Sequence, residues 1–542
     1  MKNRKLKLVN NLKLTEVSFK YFRAKDRDNA ISEAGIQIIN KNNSFVFVIL
    51  HTNQHTRTMK PHIFLFLVLG FFLSGCSQNS YQKEPFLTVS PNGRYLMHPD
   101  GKPFLWLGDT GWELFHRLTR EEADDYLSTR AKQGYSVIQA VVLAEMDGLN
   151  VPNAYGDRPL IDNDPGRPNE AYFRHVDYIV NKAEELGLFM GMLPTWGDKV
   201  PNANPGYGPV VFTKENAYAY GEFLGKRYRD KPVIWILGGD RNVDSFEAFK
   251  IWKAMANGLR KGDEGRHLIT YHPRGEASSH YWLHNEPWLD INGYQSGHAR
   301  RFNKVYRYAE TLALLQPAKP YIDLEPAYED IAVRFWDYWN WYNPKLKPEE
   351  QAVINGFIVK KDFWKEGFFT DYDVRVHAYW DFLSGACGYT YGNNAIWQMF
   401  REGINPVIPC LTSWKDALSR PGALSITCLR KILEARPFYK LIPDQSVIYG
   451  FNSEDSTHVR AAVSKDKDFL MVYLALGQKV FLTMGKINGK LVTVRWYNPA
   501  AGNIVNAPAA DNTGVQEFVP PAGGKAWLLI LEDPAAQLPV LD

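Results

Sequence analysis

Val233-Ile234-Trp235-Ile236-Leu237 runs without a break into Gly238-Gly239-Asp240-Arg241-Asn242. A short apolar run, rich in β-branched and aromatic residues and stopped by a glycine pair, reads as a strand buried on both faces. After it, Ser245 is a candidate N-cap and Phe246–Leu259 has the helical period. The same strand, polar turn and helix recur on either side. The other runs are Phe104–Leu107, Ser136–Leu143, Phe189–Leu193, His267–Tyr271, Leu289–Gly293, Tyr321–Leu324 and Gly388–Tyr391. Thr119-Arg120-Glu121-Glu122 is a capping box whose helix stops near Gly134; Glu170–Leu186 stops at Gly187, and Lys214–Tyr228 has Thr213 as its cap. Eight such units predict an α/β fold, a (β/α)8 TIM barrel, over residues 85–436. A doubly wound open sheet is the alternative, but no Gly-rich phosphate loop follows the first run.

From residue 437 to 542 the pattern changes to short β-rich runs: Val447–Tyr449, His458–Val463, Phe469–Leu474, Lys479–Leu482, Val492–Trp496, Glu517–Val519 and Ala526–Leu531. Turn signals such as Asn488-Gly489 separate them, and a small C-terminal β-sandwich is expected.

The whole chain has 542 residues, 45% hydrophobic and 23% charged, which excludes a disordered chain, a collagen and a coiled coil. Its formal charge of +4 is unevenly spread: residues 1–58 hold 11 Lys+Arg against 4 Asp+Glu, whereas the part from Cys76 onward is net acidic. A body without a basic run argues against a nucleic-acid partner.

Ile63–Leu73 is apolar throughout, too short to span a bilayer, which takes about 20 residues, but long enough for a signal-peptide core. Lys60 precedes it and Leu73-Ser74-Gly75-Cys76 follows, an order that looks like a bacterial lipobox with Cys76 as the lipidated residue. Residues 59–76 therefore read as a lipoprotein signal peptide and 77–84 as a tether. Met59 stands where such a peptide begins, so residues 1–58 read as an upstream non-native extension. The expected location is extracytoplasmic, with the protein lipid-anchored to the outer membrane on its periplasmic face or at the cell surface. Cys387, Cys410 and Cys428 fit no metal motif and read as buried free thiols.

In a barrel of this kind the active-site groups stand at the C-terminal ends of the strands. Those ends carry Asp109 and Trp112, Trp196, Asp240 and Asn242, His272 and Arg274, Gln295 and His298, Glu325 and Tyr328, and Trp397. Tryptophan faces match the C–H faces of a sugar ring, and Asn, Gln, His and Arg satisfy its hydroxyls. Asp240 and Glu325 each end a strand, on opposite sides of the barrel, as glycoside hydrolysis requires: one carboxyl protonates the leaving oxygen and the other attacks the anomeric carbon or activates water. Asp109 is read as a substrate ligand, with a structural role beside Arg274 or His272 as its alternative. Asp323 shares the inward phase of Glu325 and could orient a neighbour. His272 and His298 have no third ligand at a recognised spacing, so no metal and no other cofactor is expected.

Gly108–Phe115 (GDTGWELF), Gly239–Asn242 (GDRN), His272–Gly275 (HPRG), Asn292–His298 (NGYQSGH), Glu325–Glu329 (EPAYE) and Tyr391–Gln398 (YGNNAIWQ) together resemble the apiosidase-like glycoside hydrolases. The C-terminal part is similar to the collagen-binding-type β-domain that often follows that barrel. The resemblance implies a retaining exo-glycosidase that removes apiose from the side chains of the pectin rhamnogalacturonan II, with Asp240 as acid/base and Glu325 as nucleophile. An oligosaccharide or polysaccharide is the expected partner. The competing readings are an endoglucanase or arabinofuranosidase on the same barrel, and a non-catalytic carbohydrate-binding surface lipoprotein.

Overall fold

The eight apolar runs become eight parallel strands: β1 (Trp106–Thr110), β2 (Val137–Leu143), β3 (Phe189–Thr195), β4 (Val233–Leu237), β5 (Ile269–Tyr271), β6 (Asn292–Gln295), β7 (Tyr321–Asp323) and β8 (Gly388–Tyr391). Each lies beside the next in chain order, and β8 returns to pair with β1, Gly388 opposite Trp106 and Tyr391 opposite Asp109. Between β5 and β6 the regular ladder lapses. There the N–H groups of Asp290 and Ile291 both donate to the Ile269 carbonyl, at 2.9 and 3.4 Å, so the sheet curls until its ends meet. A short antiparallel strand, Ala277–Ser278, lies on the far side of β6.

Helices follow the strands: α1 (Arg120–Lys132), α2 (Glu170–Glu185), α3 (Lys214–Arg227), α4 (Phe246–Gly262), α5 (Tyr306–Ala313), α6 (Asp371–Phe382) and α7 (Pro421–Ala435). Thr119 and Thr213 close capping boxes at α1 and α3, and Ser245 caps α4. In this computed structural model the described residues are 22–25, 31–41, 44–52, 86–203, 206, 208–337, 363–522 and 525–541. The segment read as a signal peptide, 59–76 with Cys76, and the one read as a tether, 77–84, lie outside them. In a separate N-terminal unit, Phe22–Lys25, Ile31–Lys41 and Ser44–Thr52 pair as an antiparallel sheet.

The strands read as unbroken apolar runs because both of their faces are covered. In β4, Ile234 and Ile236 point into the barrel beside Val137, Val141, Leu193 and Ile322. Val233, Trp235 and Leu237 point outward and pack among Tyr228, Met255 and Leu259 of the helical layer.

The same alternation corrects two readings. In β1, Trp106 faces inward, so Asp109 faces outward, one pleat away from where a substrate ligand would have to stand. Asp109 is fully buried, takes a hydrogen bond from the Tyr126 hydroxyl and pairs with Arg130 Nε, each at 2.6 Å. It ties β1 to α1 and contacts neither Arg274 nor His272. In β7 the inward residues are Ile322 and Leu324, so Asp323 also faces outward. There it accepts from Ser296 Oγ at 2.5 Å and steadies the chain leaving β6.

Helices α3 and α4 approach through glycines. A Cβ on Gly258 would stand 2.1 Å from the Tyr218 carbonyl oxygen, and one on Gly221 2.4 Å from that of Met255.

After the barrel, Leu441–Pro443, Val459–Ser464, Phe469–Leu474, Trp527–Glu532, Leu491–Tyr497 and Ile504–Asp511 form one antiparallel sheet in that spatial order. One face, with Phe469, Met471, Tyr473 and Leu528, packs on α6 and α7. The other, with Leu470, Val472 and Leu529, is covered by the ribbon Val480–Thr483/Val515–Phe518. The Val447–Tyr449 run is not a strand: Gln445–Val447 is a 3-10 turn that contributes the fully buried Val447 to this core. Ile504–Asp511 has no apolar alternation and contains Pro508, which an edge strand tolerates because an outward-facing residue needs no ladder N–H.

Gly258→Ala is expected to lower Tm. Helix propensity favours alanine by about 1 kcal/mol, but the carbonyl in its way is backbone, and overpacking of this kind costs about 1–3 kcal/mol. Arg130→Ala is expected to lose about 3–5 kcal/mol in denaturant unfolding, because it strands the Asp109 charge in the interior. Asp109→Asn with Arg130→Met should lose less than Arg130→Ala alone.

Candidate active site

Beyond β4 the backbone turns sharply. Gly238, Gly239 and Asp240 all have positive φ, 98°, 62° and 55°. Side chains at the first two would collide with the His272 carbonyl (2.2 Å) and Gly197 N (2.7 Å), so only glycine fits. Aspartate is among the few residues that tolerate the third conformation. The turn delivers the Asp240 carboxyl into a cavity of about 300 Å3 at the C-terminal ends of the strands.

Glu325 reaches the same cavity from the far side of the barrel, just beyond β7. Its carboxylate has a histidine beside each oxygen: His298 Nε2 hydrogen-bonds to Oε1 at 3.1 Å, and His272 Nε2 lies 2.9 Å from Oε2 without the alignment of a hydrogen bond. The other nitrogen of each ring is also occupied. His272 Nδ1 accepts the Asp240 backbone N–H at 3.0 Å, and His298 Nδ1 accepts that of Tyr328 at 3.4 Å. A nitrogen that accepts an N–H carries no proton, so the ring hydrogen belongs on Nε2, the nitrogen beside Glu325.

These contacts push the two carboxyls in opposite directions. Burial alone would raise the Glu325 pKa, but the two histidines beside the carboxylate outweigh it and lower it to about 2. For Asp240, burial is the largest influence; the Arg241 cation opposes it, the Glu325 charge adds to it, and the net result is a raised pKa. Arg241 Nη1 donates to Asp240 Oδ2 at 3.2 Å and to its backbone carbonyl at 2.7 Å. One carboxyl is thus kept ionised and its neighbour is biased toward the acid form, the division of labour that acid-assisted nucleophilic displacement uses.

Trp112, Trp196, Trp397 and Tyr328 line the cavity with Arg274, Gln295 and His298. Trp112 donates from Nε1 to the Tyr328 hydroxyl at 3.0 Å and packs against Trp196 with ring centroids 5.5 Å apart. Trp397 Nε1 is held by Asn394 Oδ1 at 3.2 Å. These hydrogen bonds fix the rings as rigid walls.

Three residues named from the sequence stand elsewhere. Asp109 faces the helices, as described above. His272 lies behind Glu325 and acts on that carboxylate, not on the cavity. Asn242 Oδ1 accepts the Arg274 N–H at 3.1 Å, joining the β4 and β5 loops. Conversely, Glu145, Glu276, Phe335 and Trp336 line the cavity and were not anticipated. Glu145 follows β2 by two residues, the kind of position that identified Asp240 and Glu325. Phe335 and Trp336 sit in a 3-10 turn, Phe335–Asp337, far beyond β7, where no strand end marks them.

The family model "Apiosidase-like, catalytic domain" matches residues 90–440, and "Putative collagen-binding domain of a collagenase" matches 442–532. A solved structure described as "Glycoside hydrolase" is 33% identical, with 83% of this chain and 98% of that one covered and a TM-score of 0.71. A glycoside hydrolase family 5 structure from Bacteroides vulgatus ATCC 8482 is 32% identical, with coverage of 83% and 94% and a TM-score of 0.71. A search of curated protein sequences gave no match. A barrel with two carboxyls of opposed acidity in an aromatic cavity, and a catalytic-domain model that spans it, lead to one conclusion: the chain belongs to the apiosidase-like family and is a glycoside hydrolase.

Proposed function

We propose that this glycoside hydrolase is a retaining exo-enzyme that releases apiose from rhamnogalacturonan II side chains in plant cell-wall pectin. The observation that carries the mechanism is the Glu325 carboxylate, flanked by His272 and His298 and kept ionised, in one cavity with a carboxyl of raised pKa. Glu325 attacks the anomeric carbon while Asp240 gives its proton to the departing glycosidic oxygen. Asp240 then takes a proton from water as that water displaces Glu325 from the glycosyl-enzyme. Trp112, Trp196 and Trp397 stack on the sugar, and Arg274 and Gln295 bind its hydroxyls. A cavity of about 300 Å3 is at the small end for ligand sites, which favours a terminal sugar over a run of rings. The family's name supports apiose as that sugar. The C-terminal β-domain braces α6 and α7 in this reading.

Leu73-Ser74-Gly75-Cys76 supports a lipid anchor at Cys76 that holds the enzyme on the outer membrane. Cys76→Ser is expected to move the protein from the membrane fraction to the soluble fraction after cell lysis; an unchanged distribution would refute the anchor.

Incubation with rhamnogalacturonan II should release apiose as the single monosaccharide. Oligosaccharide products would indicate endo action, and arabinose an arabinofuranosidase. Glu325→Gln should lower turnover by roughly 10⁴-fold or more while the thermal unfolding transition persists. The pH profile follows from the two shifts. Activity needs Asp240 protonated and is lost as pH rises through its raised pKa. It needs Glu325 ionised and is lost on that account only toward pH 2. His298→Ala removes one of the contacts that hold Glu325 down, so the acid limb of kcat/KM should move upward, toward the ordinary carboxylate range of about 4.

A further inference from the structure

Glu145 is a third carboxyl in the cavity, and the mechanism above does not use it. Its side chain lines the cavity, the residue is only 5% exposed, and no described residue hydrogen-bonds to its carboxyl. Arg274 lines the same cavity, and no described cation forms an ion pair with Glu145; the neighbouring acids have partners of their own. Lys199 holds Asp198, Arg117 and His116 hold Glu113, Arg241 holds Asp240, and His272 and His298 hold Glu325. The backbone that presents Glu145 is in a costly conformation: Met146 and Asp147, next in sequence, have φ of 52° and 62°. Asn150 Nδ2 pins that turn by donating to Asp147 Oδ1 at 2.6 Å. Left-handed geometry at a methionine is uncommon and, where it persists, clusters at ligand-binding sites.

We propose that Glu145 is a sugar-binding residue whose carboxyl group donates a hydrogen bond to an oxygen of the sugar held between Asp240 and Glu325. The inference rests on the glycosidase reading and adds a specificity contact to it. The donor form follows from the surroundings. Burial raises the Glu145 pKa well above the carboxylate range, and the charges of Glu113, Asp198, Asp240 and Glu325 raise it further. A buried acid with no ion-pair partner favours its protonated form, and among the described residues none accepts from this carboxyl. A sugar oxygen supplies that acceptor, and a ligand lacking it leaves a buried donor unpaired, which is how a polar pocket discriminates between sugars.

The test uses the full-length enzyme and the glycoside that the wild type turns over. Glu145→Leu, similar in shape but without a donor, should lower kcat/KM by roughly 10- to 100-fold. Glu145→Gln, whose amide still donates, should recover most of that loss. The Leu penalty should be equal for an aryl glycoside with a good leaving group and for a natural one with a poor leaving group, whereas Asp240 variants should suffer far more on the poor one. Wild-type kcat/KM in Glu145→Leu would overturn the proposal. So would a Gln variant as impaired as Leu, or a Leu penalty confined to poor leaving groups, which would make Glu145 a proton donor in the reaction. Carboxyl-labelled glutamate followed by NMR, with Glu145 assigned by its loss in Glu145→Gln, should show this group protonated at the pH of the turnover assay; an ionised group would overturn the proposal independently of turnover. A wild type inactive on every glycoside would instead be the failure of the glycosidase reading, and is distinguishable because it appears before any substitution is made.

Discussion

Two imidazoles packed against one buried carboxylate organise this molecule. Glu325 can stand ionised inside a barrel because His298 hydrogen-bonds to one oxygen and His272 stands 2.9 Å from the other, and each ring is oriented by a main-chain N–H on its far side. One of those N–H groups belongs to Asp240. The backbone turn that positions the proposed acid therefore also sets the tautomer of the histidine that steadies the proposed nucleophile. The three successive left-handed residues after β4 serve both purposes, and this explains why two glycines are needed before the aspartate.

The barrel supplies the rest by geometry. Strands covered on both faces bring their C-terminal ends to one rim, where histidines from the β5 and β6 loops can meet a glutamate from the β7 loop. The residues that hold the rim in shape face the other way. Asp109 with Arg130, and Asp323 with Ser296, are buried polar contacts on the outward pleat that fix β1 against α1 and the β6 exit against β7. They share residue types with the site but none of its access to substrate.

Most of this was legible in the sequence for a physical reason. A doubly covered strand must be apolar along its length, so the eight runs stand out, and the polar residue after each one has an address. That reasoning placed Asp240 and Glu325 in the cavity, with Trp112, Trp196, Arg274, Gln295, His298, Tyr328 and Trp397 on its wall. It failed where the pleat phase decides. Asp109 and Asp323 lie inside strands, and a shift of one residue places a side chain in the helical layer instead of the cavity. It also failed at His272, whose type and address were right but whose partner is a carboxylate, not a sugar; no spacing rule reveals that contact. Glu145 was within reach of the same reading, since it follows the β2 run as directly as Glu325 follows β7. Ile504–Asp511 was not, because an exposed edge strand carries neither alternation nor an apolar run.

The central claim is that Glu325 forms a covalent bond to the sugar. A 2-deoxy-2-fluoro glycoside slows release of such an intermediate enough to trap it, and peptide mass spectrometry locates the attachment. The account predicts one added sugar on the peptide carrying Glu325, and a first product with the anomeric configuration of the substrate. A label on Asp240 or Glu145, or no label together with an inverted product, would contradict it.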